Sequence, residues 1–234
     1  MKKTLQSIWS GMLHFVYPRL CIGCNKSLLD QEQILCLECA NELPLTNYHH
    51  IQENETASRF AGRIKFNHAT SFAYFSKDGL LQKLLHEFKY KNNKAAGVFM
   101  ARRFAYALQK TDWIKEIDLL IPVPLYRSKL NERGYNQSEI IAKTLSSVLR
   151  IEIDIVSLAR VTNTDSQVRK SRADRAKNMN HAFSVGNMDN LKGKHILIID
   201  DVLTTGATIE ACSAALQSVE GLQFSIATVG IAID

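Results

Sequence analysis

Four consecutive aliphatic residues, Ile196-Leu197-Ile198-Ile199, run directly into two adjacent carboxylates, Asp200 and Asp201. A short, continuous, largely β-branched run is what a central parallel strand requires, because helices cover both of its faces. The strand is expected to end at the carboxylates. A small hydroxyl-rich loop follows, through Thr204, Thr205, Gly206, Ala207 and Thr208. Then Ile209, Ala211, Cys212, Ala215, Leu216 and Val219 mark one face of a helix, and Gly221 stops it. The succession strand, loop, helix N-terminus commits the chain to an open α/β sheet, where ligands bind beyond the carboxyl ends of strands.

The chemistry of that loop is specific. Amides of Thr205 to Thr208 at the start of a helix form a positive nest for an anion. The hydroxyls of Thr204, Thr205 and Thr208 can donate to phosphate oxygens. Asp200 and Asp201 are acceptors suited to two vicinal sugar hydroxyls, directly or through a hydrated Mg2+. A phosphate cradle one sugar ring away from two carboxylates describes a ribose 5-phosphate site. Acidic residues also cap strand ends for purely structural reasons, but a tandem pair followed by Thr-Thr-Gly-Ala-Thr is harder to dismiss. The chain contains neither G-x-x-x-x-G-K-[ST] nor G-x-G-x-x-G, so neither a P-loop nucleotidase nor a dinucleotide-binding domain is supported.

A second constellation lies near the start. Cys21-Ile-Gly-Cys24 and Cys36-Leu-Glu-Cys39 place four cysteines within 19 residues. Two C-x2-C knuckles supply the four thiolates of a closed tetrahedral site, which selects zinc, with iron as the alternative, and makes the metal structural. Residues 18–45 are therefore expected to be a zinc knuckle with little apolar core of its own, folded by its metal. Cys212 is read as a small core residue. His49 and His50 fall in a polar connector, residues 46–64, and are read as surface residues.

Strands and helices alternate between the cysteines and Asp200. Strands are expected over 69–76, 118–123 and 152–159. Helices are expected over 79–90, capped by Asp78, over 94–110, and over 138–149, begun by Ser138. The alternation predicts a mostly parallel sheet flanked by helices over residues 65–234. Pro122 and Pro124 end the 118–123 strand, and a polar loop carrying Arg127, Lys129 and Arg133 follows. Residues 160–177 are rich in cations, among them Arg169, Arg172 and Arg175. Such a segment can hold single-stranded DNA, although no aromatic stacking partner lies between Arg160 and Lys177, and a solvated basic face is the plainer reading.

Leu5, Ile8, Trp9, Met12, Leu13 and Val16 recur at helical spacing, so residues 1–17 are expected to form an amphipathic helix ended by Pro18. It docks on the body or, as the lesser reading, on a membrane surface or partner. No run approaches the roughly 20 apolar residues of a membrane span, and no cleavable leader is evident. The expected compartment is therefore the cytoplasm, where thiols stay reduced. Apolar residues at 46% and charged residues at 22% exclude a disordered chain. The net charge of +6 is compatible with phosphate-bearing partners but does not by itself establish nucleic-acid binding.

Taken together, these residues resemble the ComF family, a competence-protein F-like group with a type I phosphoribosyltransferase domain. The resemblance rests on the Asp200–Thr208 loop and the four cysteines. It also rests on Phe88-Lys89-Tyr90, Pro122-Val123-Pro124-Leu125, Arg133-Gly134-Tyr135-Asn136-Gln137, and Thr164, Gln167, Arg175, Asn178, Ala182 and Phe183. It implies binding of phosphoribosyl pyrophosphate (PRPP) with Mg2+, and a diphosphate subsite at Arg127 and Arg133. A flap over the substrate is implied for the region of Arg169, Arg172 and Arg175. Tyr126, Lys129 and Asn131 stand where the family pattern carries a histidine and arginines. The resemblance further implies a cytoplasmic role in natural transformation, handling single-stranded DNA with helicase or recombination partners. Phosphoribosyl transfer itself remains open, and an active transferase of nucleotide metabolism or salvage without a DNA role is the alternative.

Overall fold

A computed structural model describes residues 18–161 and 182–233. The helix expected over 1–17 and the flap arginines Arg169, Arg172 and Arg175 lie outside the described residues.

The sheet is built from β1 (Ala69–Phe75), β2 (Leu119–Pro122), β3 (Glu152–Ile153), β6 (His195–Leu203) and β7 (Gln223–Ala232), in the order β1-β7-β6-β2-β3. Every pairing in it is parallel. Around it lie α3 (Leu80–Tyr90), α4 (Lys94–Leu108), α5 (Arg127–Arg133), α6 (Gln137–Leu149) and α7 (Ala207–Leu216). The short helices α1 (Leu37–Asn41) and α2 (Glu55–Ser58) precede β1. A separate antiparallel ribbon joins β4 (Leu158–Arg160) to β5 (Phe183–Val185).

Two apolar layers sandwich the sheet, as parallel strands demand. On one face Leu197, Ile199, Leu120 and Val229 pack with Leu84 and Phe88 of α3, Phe104 of α4 and Ile141 and Leu145 of α6. On the other, Ile196, Ile198 and Ile121 meet Cys212 and Leu216 of α7 and Leu158 and Phe183 of the ribbon. The period-two alternation of β6 thus divides its side chains between the two cores. Cys212 is fully buried, as its apolar setting predicts.

Several expectations are corrected. β6 does not end at the carboxylates but continues to Leu203, because Val202 pairs with Gly230 and Leu203 with Ile231. The strand expected over 152–159 breaks after Ile153. The buried Asp154 carboxylate accepts from the N–H groups of Val156 and Ser157, both at 2.8 Å, and turns the chain into the ribbon. The polar stretch at Arg127–Arg133 is helical. Gly79, not Asp78, is the N-cap of α3, and Asn136, not Ser138, opens α6, its side chain accepting from the Ser138 N–H at 3.1 Å.

Residues 46–64 are no exposed connector. Thr56 and Phe60 are fully buried, and Asn54 and His49 nearly so. Thr46 N–H bonds Phe72 O at 3.1 Å and Tyr74 N–H bonds Pro44 O at 2.8 Å, so residues 44–46 pair with the outer side of β1, and Asn54 Nδ2 adds a bond to Ala69 O at 2.8 Å, which together cover an otherwise open edge. The cysteine segment likewise shares the main core. Cys21, Leu28, Ile34, Leu35 and Leu43 belong to the same apolar cluster as Leu81 and Phe104, contrary to the expectation of a module nearly without one.

Candidate functional site

Connections leaving β2 and β6 diverge. From β2 the chain passes through α6 on one face to β3 at the sheet edge; from β6 it passes through α7 on the other face to β7. The carboxyl ends of β2 and β6 are neighbours, with Pro122 paired to Ile199. A divergence of this kind opens a crevice between the two strands, where doubly wound sheets bind ligands. Asp200 and Asp201 follow Ile199 at its mouth.

Successive positions on β6 give the two carboxylates different partners. Asp201 shares the face of Leu197 and Ile199 and meets Lys89 near the end of α3, Nζ to Oδ2 2.8 Å, with both side chains largely buried. Asp200 accepts a hydrogen bond from Ser138 Oγ at 2.9 Å, in the first turn of α6, and from the Asp201 N–H at 2.8 Å. Burial first, and then the Asp201 carboxylate beside it, push the Asp200 carboxyl up to about 7, against the opposing pull of these donors and Lys89. One acid of the pair is therefore poised near neutrality.

The loop beyond is shaped from below. Gly206 has φ +85° and caps α7. A Cβ there would lie 2.7 Å from Cε1 of Phe60, so glycine answers both the left-handed backbone and the close approach. Thr204 and Thr205 are exposed, and Thr205 Oγ1 accepts from the Ala207 N–H at 3.4 Å. The first bond inside α7 runs from Glu210 N–H to Gly206 O at 3.0 Å, which leaves the amides of its opening turn ahead of the helical ladder. From the 46–64 segment, Arg59 Nη1 donates to Thr204 O at 3.4 Å and Arg63 Nη1 to Thr205 O at 3.1 Å, while Arg63 Nε pairs with Glu210.

Away from this corner, Cys21, Cys24, Cys36 and Cys39 place their sulfurs within 4.8 Å of one another. Cys24 and Cys36 Sγ are 3.7 Å apart, against about 3.8 Å for the edge of a tetrahedron with metal–sulfur bonds of about 2.3 Å. Cys36 N–H donates to Cys21 Sγ at 3.3 Å, the knuckle amide expected of a thiolate site. Burial raises the Cys21 thiol, but amides of Cys36, Cys24 and Gly23 outweigh it and bring it down to about 6. The donor set fits one metal ion. Gly23 lets the knuckle sit close: a Cβ there would stand 2.7 Å from Cys39 Sγ and 2.9 Å from Leu80.

Comparison with known proteins agrees with this geometry. Residues 136–230, which span α6, β6, the loop, α7 and most of β7, match the phosphoribosyl transferase domain. Competence protein F of Haemophilus influenzae is 29% identical over 88% of this chain and 88% of its own length. Over most of its length the chain is therefore similar to members of the ComF family. Among other relatives, competence protein ComFC of Bacillus subtilis is 25% identical over 61% of the chain and 55% of its own length. The DNA utilization protein YhgH of Escherichia coli is 28% identical over 55% and 57%. A solved glutamine PRPP amidotransferase from B. subtilis, complexed with ADP and GMP, overlaps at a TM-score of 0.40 with 16% identity, covering 58% of this chain and 26% of that one; an overlap this loose carries no weight of its own.

The remaining candidates divide. Arg127 opens α5 and is exposed. Arg133 ends it, donates to Gln137 Oε1 at 3.0 Å and lies 5.6 Å over the Tyr90 ring. The stretch 133–137 acts as a joint: the Tyr135 hydroxyl bonds Phe88 O, and Asn136 Nδ2 donates to Val123 O at 3.0 Å. It thereby ties α3, the end of β2 and the start of α6 together behind the carboxylates. Sequence reasoning named Lys89 and Ser138 without giving them a role at Asp200 and Asp201, and it missed Arg59, Phe60 and Arg63 altogether. No local signal marks those three, since they reach the loop from about 140 positions upstream.

Proposed function

We propose that the chain binds PRPP, or a related ribose phosphate, where β6 passes into α7, and that it serves DNA handling in competence. The observation that carries the reading is the tandem Asp200–Asp201 pair at the crevice between β2 and β6, followed at once by the exposed threonines and the opening turn of α7. On this reading Thr204, Thr205, Gly206, Ala207 and Thr208 receive the 5-phosphate. Asp200 and Asp201 accept from the ribose hydroxyls, with Lys89 and Ser138 holding the two carboxyls in place. Arg127 and Arg133 face the diphosphate. Mg2+, when bound with the substrate, supplies charge neutralisation to that leaving group. The chain's own part in transfer is to fix the ring and to stabilise developing charge with oriented dipoles and cations. Zinc is the metal proposed for the four thiolates, in a closed structural site.

The DNA role, the single-stranded DNA contact through Arg169, Arg172 and Arg175, the helicase or recombination partners and the cytoplasmic setting are supported by the names of the relatives, the positive net charge and the reduced thiols the cysteine site needs. No helix among the described residues is long and apolar enough to cross a membrane. An active transferase of nucleotide metabolism is the second reading, favoured by the match to the phosphoribosyl transferase domain.

Isothermal titration with PRPP and Mg2+ tests the site. Wild type should bind, and the Asp200→Asn/Asp201→Asn double variant should lose at least about tenfold in affinity, given about 1.5–3 kcal/mol for a hydrogen bond to a charged group. Retention of oligonucleotide binding by that variant would separate the two roles. A wild type that gives no heat with PRPP ends the reading.

A further inference from the structure

The segment covering the outer edge of β1 reaches the loop at two successive peptides. Arg59 Nη1 holds Thr204 O at 3.4 Å, and Arg63 Nη1 holds Thr205 O at 3.1 Å. In a trans peptide the carbonyl and the following N–H point in opposite directions. Fixing these two oxygens toward the segment therefore aims the N–H groups of Thr205 and Gly206 away from it. Between the two arginines, Phe60 is fully buried and occupies the space under Gly206 that a side chain would take.

Both guanidiniums are themselves anchored. Arg59 Nη2 donates to Glu55 Oε1 at 2.9 Å and to Ala232 O at 3.1 Å, at the end of β7. Arg63 pairs with Glu210 in the first turn of α7, and its Nη1 donates also to Arg59 O at 2.7 Å. The segment is fastened to the sheet by a buried chain of hydroxyls. Thr56 Oγ1 meets Ser71 Oγ at 2.7 Å, Ser71 meets Thr228 Oγ1 at 2.7 Å, and Thr228 donates to Gly230 O at 3.1 Å. Asn54, nearly buried, caps α2 and donates to Ala69 O at 2.8 Å. A planar fork with several donors can hold a carbonyl and a carboxylate at once, which a lysine ammonium on its flexible stem does poorly.

We infer that Arg59 and Arg63 are positioning residues for the anion loop: they set its amide directions through the Thr204 and Thr205 carbonyls rather than by touching the ligand. The inference rests on the ribose-phosphate reading of the loop and deepens it. It assigns residues 54–63 a part in ligand affinity, and it makes the edge cover a component of the site.

The test compares wild type, Arg63→Met, Arg59→Met/Arg63→Met and Arg63→Lys, each first checked for an unchanged circular dichroism spectrum. PRPP with Mg2+, and inorganic phosphate alone, are titrated at 0.05 M and 0.5 M salt. Arg63→Met is expected to lose about tenfold in affinity for both probes, and the double variant more. The loss should persist at high salt, since a guanidinium acting only as a distant charge is screened there. Arg63→Lys, which keeps the charge and loses the fork, should recover only part of it. Amide nitrogen shifts of Thr205 and Gly206 should move in the Met variants without ligand. Unchanged affinity in the Met variants, a loss abolished by salt, or full recovery with lysine would each overturn the inference while leaving PRPP binding by wild type intact. If wild type binds neither probe, the inference and the ribose-phosphate reading fall together.

Discussion

The cysteine corner and the carboxylate corner are put together in opposite ways. All four sulfurs come from 19 consecutive residues, so the donor set is nearly complete once two tight turns form. The carboxylate corner draws Lys89 from α3, Ser138 from α6, Asp200 and Asp201 from β6, and Phe60 and Arg63 from the edge cover. A local site depends on its metal, whereas a distributed site depends on the packing of the whole sheet. Yet the two share a core, because Cys21, Leu28 and Leu35 pack in the same cluster as α3, whose Lys89 reaches Asp201. Loss of the metal should therefore be felt at both.

Removing the metal is the strongest way to break the comparison. Cys36→Ser, or a strong chelator, should cost several kcal/mol of stability, since structural zinc contributes roughly 10–16 kcal/mol of apparent binding energy in isolated fingers and part of that is folding energy. Thermal unfolding followed by circular dichroism, alongside metal analysis, checks this. If the corners were independent, the variant would lose its metal but keep the unfolding midpoint of the α/β body.

Gly206→Ala comes next, and it acts on the distributed corner alone. A left-handed φ costs a non-glycine residue about 1 kcal/mol, and overpacking against Phe60 adds about 1–3 kcal/mol. A destabilisation of about 2–4 kcal/mol with full metal content is expected, together with loss of PRPP binding. Phe60→Leu in the same chain should restore part of the stability by clearing the contact, but not the part due to φ. An alanine variant as stable as wild type would mean that Phe60 does not shape the loop.

Legibility in the sequence follows the same division. Strands and helices with a clear period emerge close to where they are expected: β1 at Ala69–Phe75 against 69–76, α4 at Lys94–Leu108 against 94–110, α6 at Gln137–Leu149 against 138–149. The cysteine cluster follows from spacing, because ligands close in sequence are close in space. Failures occur where tertiary contacts decide. Asp154 turns a run of β-forming residues by accepting several donors at once, among them Asn190, 36 positions away, at 2.8 Å. Residues 46–64 read as polar, but Thr56 and Asn54 spend their polarity inside, on Ser71 and Ala69 O. β6 runs through its acidic pair because Asp201 finds Lys89 and Asp200 finds Ser138, partners that no pattern near Asp200 announces.

The smallest expected effect separates what this corner does for a ligand from what it does for the fold. Burial and the neighbouring Asp201 raise the Asp200 carboxyl to about 7 in the folded chain, against an ordinary 3.8. An acid whose folded value is raised is easiest to accommodate while protonated. Its stability contribution is whole below about 3.8, declines as pH rises through the window up to about 7, and is gone above it. Asp200→Asn keeps an oxygen for Ser138 Oγ and for the Asp201 N–H while removing the charge. The variant should match wild type near pH 4 and exceed it at pH 8. Asp200 and Asp201 share one titration, so the gain is on the order of 1–2 kcal/mol. Urea unfolding at the two pH values measures it, and PRPP titration at pH 8 should show binding weakened in the same protein. An asparagine variant less stable than wild type at pH 8 would instead make the buried carboxylate a structural ligand of α6. The cost of keeping an acid in this crevice would then have been misjudged. A gain in stability paired with a loss of binding is what a residue held for its ligand, at the expense of the fold, produces.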